Sequence, residues 1–219
     1  MCAAEVTTRE HAPPRSFFPS GFRDGLVTVP SCPKHNNDNS ADVEYVRNVI
    51  VGAYPVNEVG LSLLPKTQRS FDRSPGLFVQ TYRESSPVMT PEGQSVIFRL
   101  DMARFDSVMT AIACALYYKD EGKQYDGNWG IFSPSLCSSK ALLSGGIDDW
   151  EPFRKAMVMV TFSPLPTPQP RVFKYSAWKE GDSKLIYEFE FYEGFVVNAL
   201  ALPAGHNPSA GLGGVRAEE

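Results

Sequence analysis

Two short stretches near the start of the chain contain residue types that could do chemistry together. Glu10 and His11 are neighbours in TREHAPP, and Cys32, His35 and Asn36 follow in SCPKHNN. A bound divalent ion can stabilise a scissile phosphate and its leaving oxygen, while a neutral imidazole accepts a proton from an attacking water. A carboxylate, an imidazole and an amide near one another therefore suit the hydrolysis of a phosphodiester bond.

The residues alone leave a second interpretation open for each stretch. Cys32 and His35 are three apart, a spacing at which a tight turn can direct both side chains at one zinc ion. Residues 36–40 are also the Asn, Asp and Ser types that ordinary turns prefer. His11 could likewise be a loop histidine before two prolines. The alternatives are a metal site or a polar turn that ends in a helix cap.

The elements that must position these residues are a strand and a helix. GLVTVP indicates a brief strand that Pro30 ends. Ser40 can act as the N-cap of a helix, and Gly52 is a plausible stop. Apolar residues recur between them at helical spacing, namely Val43, Val46, Val49 and Ile50. The first 52 residues therefore predict a small unit that a metal ion holds together.

The rest of the chain predicts an α+β domain. SVIFRL (95–100) indicates a strand, and Asp101 can cap a long helix with an apolar stripe, in which Cys114 is expected as a small buried side chain. Three β-rich runs follow, RVFKYSA, SKLIYEFEFYE and FVVNALAL, with a tight hairpin expected at Glu193 and Gly194. RSFDRSPG and PVMTPEG are expected as exposed loops.

Composition restricts the classes of function. The chain has 219 residues, is 42% hydrophobic and carries a formal net charge of −4, so it can bury a core but shows no basic excess for binding nucleic acid. No apolar stretch approaches the length of a membrane span, and we expect a cytoplasmic protein with no membrane partner. Four scattered cysteines favour thiols or metal ligands over a disulfide framework.

Residues 9–50 resemble the HNH endonuclease motif found in a group of bacterial HNH-like proteins. In that group an EH-x-P-P segment precedes TVP-x-C-x-x-C/H-N and an acidic D-x-E-Y-x-R helix, and this chain has EHAPP, TVPSCPKHN and DVEYVR. A looser likeness extends to RLDMARFDSVMTAIACALYYKDEGK and to FYEG near the C-terminus. The resemblance implies a ββα-metal finger.

The resemblance also implies roles for particular residues. Glu10 and Asn36 would hold a catalytic Mg²⁺ or Mn²⁺, and His11 would be the general base. Asp24 is the best candidate for the position of the middle Asn, which orients the histidine in the family, although the sequence around it departs from the pattern. An unoriented base would lower activity.

A structural zinc ion is implied as well. Cys32 and His35 would be paired ligands, and Cys2 would be a third. Many family members carry a CxxC before the first histidine, whereas this chain has only Cys2, with Glu5 three positions later. Either Glu5 replaces a cysteine ligand or the start of the motif is truncated.

DNA is the expected partner of such a site. Arg9, Arg15 and Lys34 are candidate phosphate contacts, with an ordinary solvated surface as the alternative. We expect a finger at 1–52, an α+β domain at 53–202 as a platform for substrate or partner, and a disordered tail at 203–219. The predicted function is an HNH endonuclease, and the alternative is a catalytically inactive HNH-like protein with a binding or structural role.

Overall fold

Helices and antiparallel sheets alternate along the chain. The computed structural model describes residues 8–32, 40–53, 55–90, 93–136, 151–181 and 184–205. Its mixed helix and antiparallel-sheet content confirms the expected α+β class. The strands are β1 (Thr8–His11), β2 (Thr28–Ser31), β3 (Ser86–Thr90), β4 (Gly93–Ile97), β5 (Asn128–Phe132), β6 (Ser163–Leu165), β7 (Phe173–Glu180), β8 (Lys184–Phe191) and β9 (Phe195–Leu202). The α-helices are α1 (Ser40–Val51), α2 (Glu58–Leu61), α3 (Leu64–Arg73), α4 (Pro75–Thr81), α5 (Met102–Glu121) and α6 (Glu151–Val158).

β1 and β2 form a small antiparallel sheet of their own. The register places Glu10 opposite Val29 and His11 opposite Thr28. Pro30 has no backbone N–H to donate. It is tolerated in β2 because each strand of a two-stranded sheet has one edge that pairs with no other strand. Residues 33–39, which connect β2 to α1, lie outside the described residues, so the metal finger stays a prediction.

The helix predicted after these strands is confirmed as α1. It is buried continuously from Tyr45 to Val51. A helix buried on all sides lies inside a molecule and is held by packing more than by helix propensity. α1 accordingly contacts α3, α4, α5 and the 3-10 helix at Arg15–Phe17.

The long helix predicted after residue 100 is confirmed as α5. The Asp101 side chain caps it by accepting a hydrogen bond from the Arg104 amide at 3.2 Å. Gly122 ends it with a φ of 68°, the left-handed conformation in which glycine carries no steric penalty. The predicted stripe is buried at Phe105, Val108, Met109, Ile112, Ala115 and Leu116, while Met102 is exposed.

The three predicted C-terminal strands are confirmed as β7, β8 and β9. They lie within a five-stranded antiparallel sheet in the order β5-β9-β8-β7-β6. The predicted hairpin between β8 and β9 is also present, with left-handed backbone at Tyr192 and Glu193. A Cβ atom on Gly194 would lie 1.9 Å from the Pro55 carbonyl oxygen, so this close approach requires glycine. The Tyr192 hydroxyl donates to the Phe17 carbonyl at 2.6 Å and fixes the hairpin to the N-terminal part.

The prediction of exposed loops at RSFDRSPG and PVMTPEG was wrong. RSFDRSPG spans the end of α3 and the start of α4, and PVMTPEG includes most of β3 and the start of β4. Pro65 and Pro75 lie in the first turns of α3 and α4, where a helix needs no N–H from them. Pro75, which was part of a predicted loop, is therefore the first residue of a helix.

Buried apolar residues from both the N-terminal and the C-terminal parts share one core cluster. It includes Phe17 and Val29 near the first sheet, Ile50 in α1, Leu116 in α5 and Phe189 in β8. Within the described ranges, no helix is both long and apolar enough to cross a membrane. From position 206 onward, the predicted tail lies outside the described residues.

Candidate active site

β1 brings Glu10 and His11 to one narrow pocket against α5. Both side chains are half-buried. The other walls are mostly apolar and come from the loop after β1, the first turn of α1 and one face of α5: Ala12, Pro14, Val43, Val108, Ala111, Ile112 and Ala115. A carboxylate and an imidazole thus share a pocket in which water is limited and electrostatic interactions are strengthened.

The environment of His11 favours the neutral imidazole. Burial lowers the pKa of His11 below its usual 6.5, and the positive charge of Arg15 lowers it further, while the Val27 backbone carbonyl acts in the opposite direction. Nδ1 of His11 is buried and has no hydrogen-bond partner among the described residues. At neutral pH the ring therefore carries an unprotonated nitrogen that can accept a proton.

Glu10 is tied to the end of β2. The Ser31 hydroxyl lies 3.3 Å from Oε2 of Glu10 and 3.4 Å from the carbonyl oxygen of Cys32. Ser31 therefore connects the carboxylate of the pocket to the residue that follows β2. Sequence analysis did not assign a role to Ser31, although its place next to Cys32 in the motif was the available signal.

The pocket wall on α5 was predicted only as core. Val108, Ile112 and Ala115 belong to the apolar stripe that the helical spacing predicts. That spacing cannot show which element the stripe covers. Packing of α5 against β2 and α1 decides that part of the stripe meets His11.

Cys32 is the one predicted zinc ligand that the structure describes. It lies directly after β2 and is buried, at 5% exposure. Cys2 and His35 lie outside the described residues, as do Asn36 and Lys34 from the predicted catalytic and phosphate-binding sets. The zinc site stays a prediction.

Asp24 lies in an exposed turn between the 3-10 helix at Ser20–Phe22 and β2. Its backbone carbonyl accepts a hydrogen bond from Nε2 of Gln169 at 3.0 Å. Asp24 is not among the residues that line the pocket of His11. The orienting role implied for Asp24 therefore has no contact in the structure to support it.

The two described candidates for phosphate contact differ in position. Arg9 is exposed on β1, and its guanidinium donates to the hydroxyl of Thr28 at 2.9 Å. Because Thr28 pairs with His11 across the sheet, Arg9 lies on the strand pair that carries the pocket. Arg15 is exposed and close enough to His11 to lower its pKa.

The D-x-E-Y-x-R segment of α1 binds neighbouring helices. Nε of Arg104 donates to Oδ1 of Asp42 at 2.6 Å, and its guanidinium lies 4.4 Å from the centre of the Tyr45 ring. The Tyr45 hydroxyl accepts a hydrogen bond from the Asp101 amide at 2.8 Å. These contacts fix the start of α1 to the start of α5, and sequence analysis missed Arg104.

Arg47 from the same segment is buried, at 2% exposure. Its guanidinium donates to Oδ1 of Asn48 at 2.7 Å and approaches Glu44 at 3.4 Å. The hydroxyl of Thr67 donates to the same Asn48 oxygen, and that of Ser70 donates to Glu44. Arg47 therefore pairs with Glu44 within α1 and stabilises the contact of α1 with α3.

The described part of the chain contains only some of the ligands proposed for the catalytic ion and for the zinc ion. There, no three His, Cys, Asp or Glu side chains lie close enough together to hold a metal ion. Glu10 supplies a carboxylate of the type that Mg²⁺ and Mn²⁺ prefer, and Cys32 supplies a thiol of the type that zinc prefers. Both ions stay predictions.

The chain was also compared with known proteins. No protein-family model, no curated protein and no solved structure matches it. The candidate site therefore stands on its own residues.

Proposed function

We propose that this protein is an HNH-type metal-dependent endonuclease that hydrolyses phosphodiester bonds in DNA. The observation that carries the proposal is the half-buried pair of Glu10 and His11, in which the pKa of the imidazole is held below its usual value. A base that is neutral near pH 7 and adjacent to a carboxylate is what hydrolysis by an activated water requires.

The order of elements supports the same proposal. Two antiparallel strands are followed by a helix, and His11 lies at the last position of β1. Cys32 comes directly after β2, so both motif positions occupy strand ends. An HNH-like ββα finger over residues 1–52 needs this order, and we propose that the chain forms one.

Each residue has a distinct role in the proposed reaction. His11 accepts a proton from the water that attacks the phosphorus atom, and Arg15 helps to keep the ring unprotonated beforehand. Glu10 and Asn36 would hold the divalent ion, which when bound stabilises charge on the scissile phosphate and the leaving oxygen. Ser31 positions the Glu10 carboxylate through its hydroxyl.

The structural zinc ion belongs to the same proposal. Cys32, together with His35 and Cys2, would hold it at the junction of β2 and α1. A bound metal stabilises a small unit because the unfolded chain has no preformed site. Loss of Cys32 should therefore reduce both metal content and stability.

A second candidate is a catalytically inactive HNH-like protein that binds DNA or a partner. Nδ1 of His11 has no hydrogen-bond partner within the described ranges, and this observation favours the second candidate. A partner at Nδ1 normally fixes the tautomer and the direction of the other nitrogen. Without one, His11 is a poorer base.

Plasmid nicking separates the two candidates. Supercoiled plasmid is incubated with Mg²⁺ or Mn²⁺ and either the wild type, His11→Ala or His206→Ala, a control histidine with no assigned role. The endonuclease proposal expects nicking by the wild type and by His206→Ala, with loss in His11→Ala. Equal nicking by all three would overturn it.

Metal analysis tests the zinc site separately. The wild type should contain about one zinc per chain, as a structural site requires, and Cys32→Ser should lose it, while Cys114→Ser, a half-buried control thiol on α5, should retain it. Zinc without nicking would support the inactive candidate. If the wild type contains no zinc and does not nick plasmid, the HNH assignment is overturned.

A further inference from the structure

A cleft rich in arginine lies at the start of α5, outside the proposed finger. It has a volume of about 570 Å³ and is lined by side chains that include Gln80, Arg83, Arg99, Asp101 and Arg104. We refer to it as the arginine cleft. Its polar lining and open shape suit a charged ligand.

Two of these arginines are available to a ligand from solvent. Arg83 and Arg99 are 70% and 56% exposed, and both pair with the single carboxylate of Glu84 at 3.5 Å and 3.3 Å. These are long contacts for charged pairs, which usually lie at 2.7–2.9 Å. Two guanidinium groups that share one carboxylate leave one positive charge that Glu84 does not balance, and the carboxylate of Asp101 also lines the cleft.

The other charged groups of the cleft are occupied within the protein. Arg104 binds Asp42 and the carbonyl oxygen of Ala41, so it is held firmly in place. Asp101 accepts a hydrogen bond from the amide of Arg104 as the cap of α5. Ligand binding would therefore depend on Arg83 and Arg99, because Asp42 already balances the charge of Arg104.

The segment of the chain that forms the cleft has a small excess of basic residues. Residues 61–104 contain six basic side chains and four acidic ones, although the whole chain has a net charge of −4. The positive segment includes α3, α4, the β3–β4 hairpin and the start of α5.

The arginine cleft is close to the pocket of His11. Arg104 at the cleft and Val108 at the pocket are one turn apart on α5, and Ile112 at the pocket is a further turn away. At 1.5 Å per residue, these separations are about 6 and 12 Å. Asp42, which binds Arg104, directly precedes Val43 in the pocket wall. One side of α5 thus contributes residues to both sites.

We propose that the arginine cleft binds a backbone phosphate of the DNA strand whose neighbouring phosphodiester bond reaches His11. The proposal rests on the proposed endonuclease function for the identity of the ligand. The rise of about 6 to 12 Å along α5 between lining residues of the cleft and of the pocket equals the length of about two to four nucleotides at 3.4 Å per nucleotide of one strand. Arg83 and Arg99 would contact the phosphate, and Glu84 would be displaced from them.

The test is binding of fluorescently labelled duplex DNA in EDTA, so that no cleavage interferes. The double variant R83Q/R99Q should bind about tenfold more weakly, and the slope of log K against log salt should become shallower by about 0.9 for each phosphate that the variant no longer neutralises. Glu84→Gln should bind more tightly, because it removes the competing carboxylate. Arg171→Gln is the matched control, an exposed arginine that pairs with exposed Glu58.

The outcomes separate this proposal from the endonuclease. If R83Q/R99Q and Glu84→Gln bind DNA as the wild type does, or if the wild type binds no DNA, the cleft proposal is overturned. Unchanged DNA binding by these variants would leave the endonuclease proposal intact if nicking still depends on His11. Conversely, cleft-dependent binding without nicking would retain the DNA site and remove the catalytic function. Preferential competition by unlabelled RNA would assign the cleft to RNA and overturn the choice of DNA.

Discussion

The N-terminal pocket of Glu10 and His11 and a polar cluster at the far end of α5 both contain a carboxylate and at least one ring side chain, but their polar atoms are paired to different extents. In the cluster, Asp120 accepts hydrogen bonds from the hydroxyls of Tyr175 at 2.9 Å and Tyr187 at 3.1 Å. The ammonium group of Lys119 donates to Asp120 at 3.1 Å and to the Tyr175 hydroxyl at 2.6 Å. Every member of this cluster has a partner.

The N-terminal pocket is less completely paired. Nδ1 of His11 is buried without a partner among the described residues, while Glu10 accepts a hydrogen bond from the hydroxyl of Ser31 at 3.3 Å. The pKa of His11 is lowered mainly by burial. The ring of His11 is therefore neutral near pH 7 and can accept a proton, while no described partner at Nδ1 fixes its tautomer.

The difference indicates what each region does. Burial, followed by the nearby Asp120 carboxylate, raises the pKa values of Tyr175 and Tyr187, so both hydroxyls remain protonated donors and the cluster stabilises α5 on the sheet. A buried polar atom without a partner contributes no stabilising hydrogen bond, so the proposed role of His11 is that of a base and not of a structural support. Variants should therefore affect activity at the pocket and stability at the cluster.

The largest expected effect is on cleavage as a function of pH. Since the pKa of His11 lies below 6.5, we expect the initial nicking rate to rise with pH through an apparent pKa below 6.5 and then to level off through neutral pH. His11→Ala should lower the rate by about 10²- to 10⁴-fold and remove the acidic limb. Nicking rates of both proteins from about pH 5 to pH 8 provide the measurement.

Stability of the same variant provides the control. His11→Ala should change the free energy of unfolding by less than about 1 kcal/mol, since the imidazole makes few polar contacts. An acidic limb that persists in His11→Ala would show that another group is the base. Loss of folding would show that the pocket stabilises the chain in the way the Asp120 cluster does.

The next largest effect is expected at the cluster. Asp120→Ala leaves two tyrosine hydroxyls and Lys119 without their shared acceptor, and should lower the free energy of unfolding by about 3 kcal/mol. Urea denaturation measures it. Asp126→Ala, an exposed acidic residue shortly after α5, is the matched control and should change stability by about 0.5 kcal/mol or less. Equal effects of the two variants would remove the contrast between the regions.

Asp106 on α5 provides an intermediate case. Its Oδ1 is buried without a partner among the described residues, and burial raises the pKa of Asp106 to about 6. The folded state therefore binds more protons than the unfolded state between about pH 4 and pH 6, and this carboxyl lowers stability as the pH rises through that window. Asp106→Asn should stabilise the protein by about 2 kcal/mol at pH 8 and by nearly nothing at pH 4.

Urea denaturation of wild type and Asp106→Asn at both pH values tests this expectation. The same gain at pH 4 and pH 8 would contradict it, because an effect of packing does not depend on the protonation of the carboxyl. Destabilisation at pH 8 would instead show that ionised Asp106 has a favourable partner.

The smallest expected effect is the loss of one hydrogen bond from the cluster. Tyr187→Phe removes one donor to Asp120 but leaves Tyr175 and Lys119 in place, so the free energy of unfolding should fall by about 1 kcal/mol. Tyr118→Phe on α5 is the control, since the Tyr118 hydroxyl shows no hydrogen bond within the described ranges. A loss as large as that of Asp120→Ala would mean that Tyr187 carries the whole cluster.

The helices and strands that were predicted correctly are those whose formation is indicated by residues close together in the sequence. The helix α5 followed from a long apolar stripe and a capping Asp101, and β7 to β9 followed from alternation and turn residues. The end of α3 and the start of α4 were missed because RSFDRSPG, which contains Pro75, suggested a loop. β5 was missed because its burial depends on pairing with β9, which is distant in the sequence.

The candidate site could be predicted in part. The adjacency of Glu10 and His11 is a property of the sequence, and their types indicated metal-assisted hydrolysis. That Ser31 binds Glu10, that Arg15 lowers the pKa of His11 and that α5 closes the pocket could not be predicted, because each requires elements far apart in the chain to meet.

The sequence by itself determined which residues could act as base, ligand and helix cap, because residue type and spacing within one or two turns are local properties. Tertiary structure decided which of them became buried and which were paired: Arg47 from the D-x-E-Y-x-R segment inside the protein, Arg83 and Arg99 at an open cleft, and His11 in a pocket with mostly apolar walls. Burial and pairing set the charge state and availability of a side chain, and both arise only when distant segments pack together.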